Sequence, residues 1–296
     1  MRRAVFSSLV LSLLLGCIAD GQESPAASLK LEQDVRLSAL LGPGTWEASG
    51  IELVGERLVV VLDDDRRLVW LPTDLSRAAL VGEDRRSGEY EGIAWDPQGK
   101  RVWVVAEEAR APDGSFAPVL TEYDEELRPV GQPVRLPLAC SGDNKGIEGL
   151  AFLRRGGREV LLCLYEGNHA ASKKRGKERG NGRIAVLGRT EAGWEQLAML
   201  ELPTQADFED YAGLDVDGDR LAVVSQASAK VWIGRLDPAA WKVVDAGRSY
   251  ALPPGFSRCE GIAWLDARRL AICSDKAKPD EDAAHDQSVH VFSLPE

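Results

Sequence analysis

Five times in this chain a small or acidic residue and a glycine open a short apolar run: Ser49-Gly50-Ile51, Glu91-Gly92-Ile93, Glu148-Gly149-Leu150, Ala212-Gly213-Leu214 and Glu260-Gly261-Ile262. Each is answered by a second apolar run, at 58–62, 102–106, 160–164, 221–225 and 270–274. A long-period unit built only of short β-type runs is the pattern of an all-β propeller. Four strands can be placed in each of four units. The fifth has only three, at 261–264, 269–274 and 288–294, and then the chain stops. A spare strand-like segment, 34–40, stands at the other end. The expected architecture is five four-stranded blades, with the N-terminal strand completing the C-terminal blade and removing its open edge. The long stretches 107–145 and 165–210 leave room for a sixth blade. The eight tryptophans are expected to fill the spaces between sheets.

The N-terminal end reads as an address. Met1-Arg2-Arg3 is a basic start, and 4–15 is an apolar run too short to span a bilayer as a helix. It closes on Leu14-Leu15-Gly16-Cys17, the pattern of a bacterial lipobox, in which Cys17 is acylated and becomes the mature N-terminus. The alternative is an ordinary signal peptide with an incidental cysteine. The expected organisation is a signal peptide at 1–16, a lipidated cysteine and tether at 17–28, and one propeller domain at 29–296. Ile18 follows the cysteine, and no aspartate there signals retention in the inner membrane. Membrane attachment through Cys17 is therefore expected, at the outer membrane in a Gram-negative host. Losing Arg2 and Arg3 takes the net charge from −11 to −13. Such a chain is a poor partner for nucleic acid and a plausible one for cations.

The acids fall in register. Glu91, Glu148 and Glu260 hold one position of the repeat, with Ser49 and Ala212 in the other two units. The ends of the second strands carry Asp63-Asp64-Asp65, Glu107-Glu108, Glu166, Gln226 and Asp275. Antiparallel pairing puts a second-strand end beside a first-strand start, so both sets collect at one rim of the central channel. Converging carboxylates repel unless a cation or a proton separates them. Oxygen donors of this kind suit Ca²⁺, and Mg²⁺ less well because it demands a tighter octahedron. The candidate metal ligands are therefore Glu91, Glu148 and Glu260, with Asp63, Glu107, Glu166 and Asp275. Ser49, Lys145, Arg258 and Lys276 are candidates for binding a small polar or anionic ligand. The structural alternative is that each Glu-Gly caps a turn or binds amides of the neighbouring blade.

Other chemistries find less support. The three histidines, His169, His285 and His290, form no His-Glu-x-x-His pattern, and no cysteine pair has zinc spacing. No Gly-x-Ser-x-Gly elbow occurs. The basic run 173–179 reads as a solvated loop or as a phosphate contact. In an oxidising compartment Cys259 and Cys273, flanking a hairpin, are expected to form a disulfide, leaving Cys140 and Cys163 to pair by exclusion; buried free thiols are the alternative.

Asn144-Lys145-Gly146-Ile147-Glu148-Gly149-Leu150-Ala151, the repeated Glu-Gly-Ile-Ala, and Asp210-Tyr211-Ala212-Gly213-Leu214 resemble the propellers called SdiA-regulated proteins. They are also similar to the related esterase-like activity of phytase group. The resemblance spans about residues 45–275. It implies a secreted or envelope propeller, calcium dependence and, more remotely, phosphoester hydrolysis. Three function classes follow. The first is an envelope module, expected as a monomer, that binds a cation or polar ligand without turnover. The second is a metal-dependent, phytase-like phosphoesterase. The third is a scaffold for another envelope protein.

Overall fold

The computed structural model describes residues 27–63, 65–82, 89–110, 114–140, 146–167 and 179–296. The chain enters through strand β1 (Lys30–Arg36) and a one-turn helix, α1 (Leu37–Leu41). Blade one is β2 (Ala48–Val54), β3 (Arg57–Leu62), β4 (Leu68–Pro72) and β5 (Ala79–Val81). Blade two is β6 (Tyr90–Asp96), β7 (Arg101–Arg110), β8 (Phe116–Asp124) and β9 (Pro129–Arg135). Blade three is β10 (Ile147–Arg155), β11 (Arg158–Tyr165), β12 (Arg183–Thr190) and β13 (Gly193–Glu201). Blade four is β14 (Gly213–Asp217), β15 (Arg220–Ser225), β16 (Lys230–Asp237) and a split outer strand, β17 (Lys242–Val243) with β18 (Arg248–Ala251). Blade five is β19 (Cys259–Trp264), β20 (Arg269–Ser274) and β21 (Ser288–Ser293), completed by β1. The architecture is a five-bladed β-propeller.

The first strands make the hub. β2 touches β6, β6 touches β10, β10 touches β14, β14 touches β19, and β19 returns to β2. The motif glycines permit this closeness. A Cβ on Gly50 would lie 2.3 Å from Glu91 O, and one on Gly92 would lie 2.8 Å from Leu150 N. On Gly149 it would meet Leu214 N at 2.8 Å, on Gly213 Glu260 O at 2.4 Å, and on Gly261 Ile51 N at 2.6 Å. Each glycine thus receives the backbone of the next blade, and the fifth receives the first. None has a positive φ. The requirement is space for a neighbouring main chain, not a turn conformation.

Five apolar clusters fill the five gaps between blades. Val60 and Val69 of blade one, for example, pack with Ala271 and Val291 of blade five. Ile184 and Val186 of blade three pack with Val223 and Trp232 of blade four. All eight tryptophans lie in or against these clusters.

The ring closes as the strand count requires, with a shift. β1 pairs antiparallel with β21, Asp34 opposite His290 and Arg36 opposite Ser288. It begins four residues earlier than the segment 34–40, because Leu37, Leu40 and Leu41 have helical spacing and turn together onto the core of blades one and five. Ahead of β1, Leu29 N donates to Ala251 O at 2.9 Å and Ala251 N to Ala27 O at 3.0 Å, so the entering chain also ties blade four to blade five.

The disulfide expectation is corrected: Cys140, Cys163, Cys259 and Cys273 are free thiols. An extra residue in β19 displaces the register, so Cys259 faces Ser274 rather than Cys273. The two thiols then lie on opposite faces, Cys259 packing toward blade four and Cys273 toward blade one. Cys140 Sγ lies 3.9 Å from Glu107 O, and Cys163 is wholly buried in the core of blades two and three.

If the glycines are a packing requirement, Gly149→Ala will cost about 1–3 kcal/mol, as overpacking of a close-packed site does. Urea denaturation checks this. A change within about 0.5 kcal/mol, the range of an ordinary surface substitution, would mean the hub can spread.

Candidate metal centre

In four of the five blades the residue before the motif glycine is an extra residue in its strand. In blade one Ala48 pairs Leu62 and Gly50 pairs Val61, so Ser49 has no partner position. Glu91 is skipped in the same way between Tyr90 and Gly92, and Glu148 between Ile147 and Gly149. In blade five Glu260 and Gly261 together oppose Cys273. Such bulges re-aim a side chain that would otherwise alternate with its neighbours. In blade four the strand begins at Gly213, beyond Ala212.

The second-strand ends lock beside these bulges by one repeated bond. Asp63 N donates to Glu47 O at 2.9 Å and Glu107 N to Glu89 O at 3.0 Å. Glu166 N donates to Gly146 O at 3.3 Å and Asp275 N to Arg258 O at 2.9 Å. Each acceptor stands two residues before the bulged residue. The two sets of acids therefore share one rim, within reach of one another's charge. Glu107, Glu148 and Glu166 come closest, with one carboxylate oxygen from each lying within 4.8 Å of the others. Glu107 is 2 % exposed, and its Oε1 accepts Gly146 N–H at 2.7 Å.

Charge is distributed unevenly around this rim. On the blade-five side Arg258, 12 % exposed, hydrogen-bonds Asp275 and lies 3.9 Å from Glu260 and 3.6 Å from Glu281. Gln226 Nε2 also donates to Glu260. Asp210, part of the Asp210–Leu214 motif but not among the expected ligands, accepts Ser225 Oγ–H at 2.5 Å and Ala227 N–H at 2.9 Å. On the blade-two and blade-three side, neither the Glu91 nor the Glu148 carboxylate has a hydrogen-bond donor or a cation among the described residues. Burial, then the charge of neighbouring carboxylates, pushes the Glu91, Glu148 and Glu260 carboxyls well above the ordinary glutamate range.

The other candidates are placed as follows. Ser49 is buried and its hydroxyl donates to Tyr90 O of the next blade. Lys276 is half-exposed and pairs with Glu47 at 3.2 Å. Cys17, Asp64, Lys145, His169 and positions 173–178 of the basic run lie outside the described residues. Ser274, His290 and Asp34 stand in the order of a hydrolytic triad, with 3.0 Å between Ser274 Oγ and His290 Nε2 and 2.9 Å between His290 Nδ1 and Asp34 Oδ1. Ser274 is 1 % exposed and its hydroxyl donates to His285 O at 2.6 Å, so no substrate carbonyl can reach it.

A second pair of acids lies three residues farther along the inner strands. Glu52 accepts the N–H groups of Leu53 and of Trp95 in the next blade. Asp215 accepts Val216 N–H at 2.6 Å and Trp264 N–H, again in the next blade, at 2.7 Å. Both fasten free edges of inner strands to one another. Burial pushes Asp215 up to about 6; burial and then the charge of Asp215 raise Glu52. The other three blades have Ala94, Ala151 and Ala263 here, and that interruption hid the pair in the sequence.

No family model matches the sequence, and no curated protein does. Solved structures do. The PQQ-bound aldose sugar dehydrogenase of Streptomyces coelicolor is 12% identical, with a TM-score of 0.54 over 90% of this chain and 98% of that one. The glutaminyl cyclase of Myxococcus xanthus is 14% identical, with a TM-score of 0.51 over 91% of this chain and 98% of that one. The GH43_1 enzyme of Xanthomonas citri is 13% identical, with a TM-score of 0.51 over 88% of this chain and 91% of that one. At such identity the likeness is one of fold.

The raised carboxyls set a pH dependence. The folded chain keeps protons on Glu91, Glu148 and Glu260 that the unfolded chain has released. Their contribution to stability is full below the ordinary glutamate value of 4.5 and is lost as pH rises through the folded values. In chelator, the denaturation midpoint will fall as pH rises above the ordinary glutamate value, and Glu148→Gln will flatten the fall. A midpoint that holds or rises there would contradict the charge crowding.

Proposed function

We propose that this propeller binds a divalent cation, Ca²⁺ ahead of Mg²⁺, at the acidic rim of its hub. The ligands are drawn from Glu91, Glu107, Glu148 and Glu166. The observation that carries this reading is the pair Glu91 and Glu148. Among the described residues, these two carboxylates, crowded by other acids, find no donor or cation of their own, whereas Glu260 and Asp275 are served by Arg258. A cation is the simplest compensation at neutral pH, and Ca²⁺ tolerates the irregular oxygen set that four bulged or strand-end residues offer. A small polar ligand held through that cation belongs to the same reading.

The protein is proposed to act in the bacterial envelope, tethered by an acylated Cys17, as a binding module of the kind the SdiA-regulated resemblance implies. Metal-dependent phosphoester hydrolysis is the alternative within that resemblance. It needs a metal-activated water and cationic groups for the phosphate. Arg258 is committed to Asp275, Glu260 and Glu281, which favours binding over turnover.

Titration calorimetry with CaCl₂ and with MgCl₂ is expected to show saturable Ca²⁺ binding below millimolar concentration, with a melting temperature that climbs with added Ca²⁺. Glu148→Gln should weaken binding at least about tenfold, a loss of about 1.4 kcal/mol. Absence of binding at millimolar Ca²⁺ would leave the acids structural. Calcium-dependent release of phosphate from phosphomonoesters would move the assignment to the hydrolase.

A further inference from the structure

The ring is fastened by a charged clasp that neither the fold nor the acidic rim requires. Asp34 sits on β1, the strand that closes the propeller. Its Oδ1 lies 2.9 Å from Nδ1 of His290, its partner across the β1–β21 pairing. Its Oδ2 lies 2.6 Å from Nδ1 of His285, in the connection 275–287 between β20 and β21. Phe256 stacks on His285 at 4.0 Å and meets His290 edge-on at 5.0 Å. His290 is wholly buried, and its Nε2 is 3.0 Å from Ser274 Oγ. Ser274 has one proton for two acceptors, His290 Nε2 and His285 O.

The same connection is tied to the entering chain by two further contacts. Arg36 pairs with Asp286 at 2.8 Å, and Leu37 N donates to Gln287 O at 2.9 Å. At its other end it borders the acidic rim, through Glu281 beside Arg258 and Lys276 beside Glu47. One strap therefore joins the closing strand to the rim, and two histidines on a single carboxylate hold it.

We propose that Asp34, His285 and His290 form an acid-released clasp, which holds the 275–287 strap against β1 at neutral pH and lets it loosen as His290 takes up a proton. The chemistry follows from burial. A neutral His290 donates Nδ1–H to Asp34 and leaves Nε2 an acceptor, competing with His285 O for the one Ser274 proton. A second proton would place a cation on a ring with no solvent contact, with only Asp34 to offset it. Asp34 must serve His285 at the same time. The other titratable or charged groups around the clasp are Arg36 on β1, Asp282 and Asp286 on the strap, and Cys259 at the start of β19. Arg36 and Asp286 neutralise each other.

Burial holds His290 below its ordinary value of 6.5, and its partners hold Asp34 below 3.8. A group depressed in the docked state contributes fully above its free value and loses that contribution as pH falls through the docked value. Release therefore begins below about pH 6.5 and is completed by Asp34 only in strong acid.

Amide exchange of the wild-type chain tests this, with protection factors followed from about pH 7.5 to about pH 5 and ring-nitrogen shifts of His290 recorded alongside. Gln287 N–H, which donates to Asp275 O at 3.1 Å, and Leu37 N–H report strap docking. Their protection is expected to fall by up to about tenfold per pH unit, the slope of one proton, in step with the His290 titration. Amides of β11, the second strand of blade three, will not follow. His290→Gln should abolish the dependence, and Asp34→Asn should lower protection already at neutral pH. The proposal is overturned if strap protection does not change as His290 titrates, or if His290→Gln keeps the same slope.

Discussion

The fold rests on the approach of five main chains at one axis. Each inner strand brings a glycine to the point where the next blade's backbone occupies the space of a side chain. Everything else in the hub is arranged around that contact. With inner strands so near, the blades leave gaps only wide enough for the apolar clusters between them. The bulge just before the glycine follows from the same crowding. An extra residue lets the strand leave the hub without carrying its side chain into the neighbour.

That bulge turns a packing constraint into a candidate site. A residue displaced from the regular alternation no longer packs between sheets, and in three blades it is a glutamate. The second-strand ends are held beside it by one repeated backbone bond, and they too are acidic. The hub therefore gathers negative charge where the main chains leave little room for solvent, and burial and repulsion act together on the same carboxyls. Arg258 relieves this on one side. Glu52 and Asp215 show a different solution deeper in the hub, where the acid is consumed by free backbone N–H groups of neighbouring strands. A carboxylate with two amide donors is a fastener, whereas Glu91 and Glu148, without donors among the described residues, are the pair to which the proposed cation is assigned.

Much of this was legible in the sequence because a propeller repeats. The Glu-Gly-Ile-Ala recurrence marked the inner strands, and the missing fourth strand of the last blade pointed to closure by the N-terminal segment. What failed did so for local reasons. The helical spacing of Leu37, Leu40 and Leu41 overrode a strand reading of 34–40. A single extra residue in β19 put Cys259 and Cys273 on opposite faces, although hairpin counting set them opposite one another. Glu52 and Asp215 escaped notice because they occupy only two of five equivalent positions. The Asp34 clasp joins residues from the two ends of the chain, and no repeat could reveal it.

The central claim is that protons and a divalent cation compete for the same hub carboxylates. Its most direct test is calorimetric Ca²⁺ titration near neutral pH in two buffers of different ionisation enthalpy. The account predicts that the apparent heats differ between buffers, because Ca²⁺ entering the rim displaces protons held on Glu91 and Glu148. It also predicts that Glu148→Gln shrinks that difference. Ca²⁺ binding with identical heats in both buffers, or no binding at all, would contradict it.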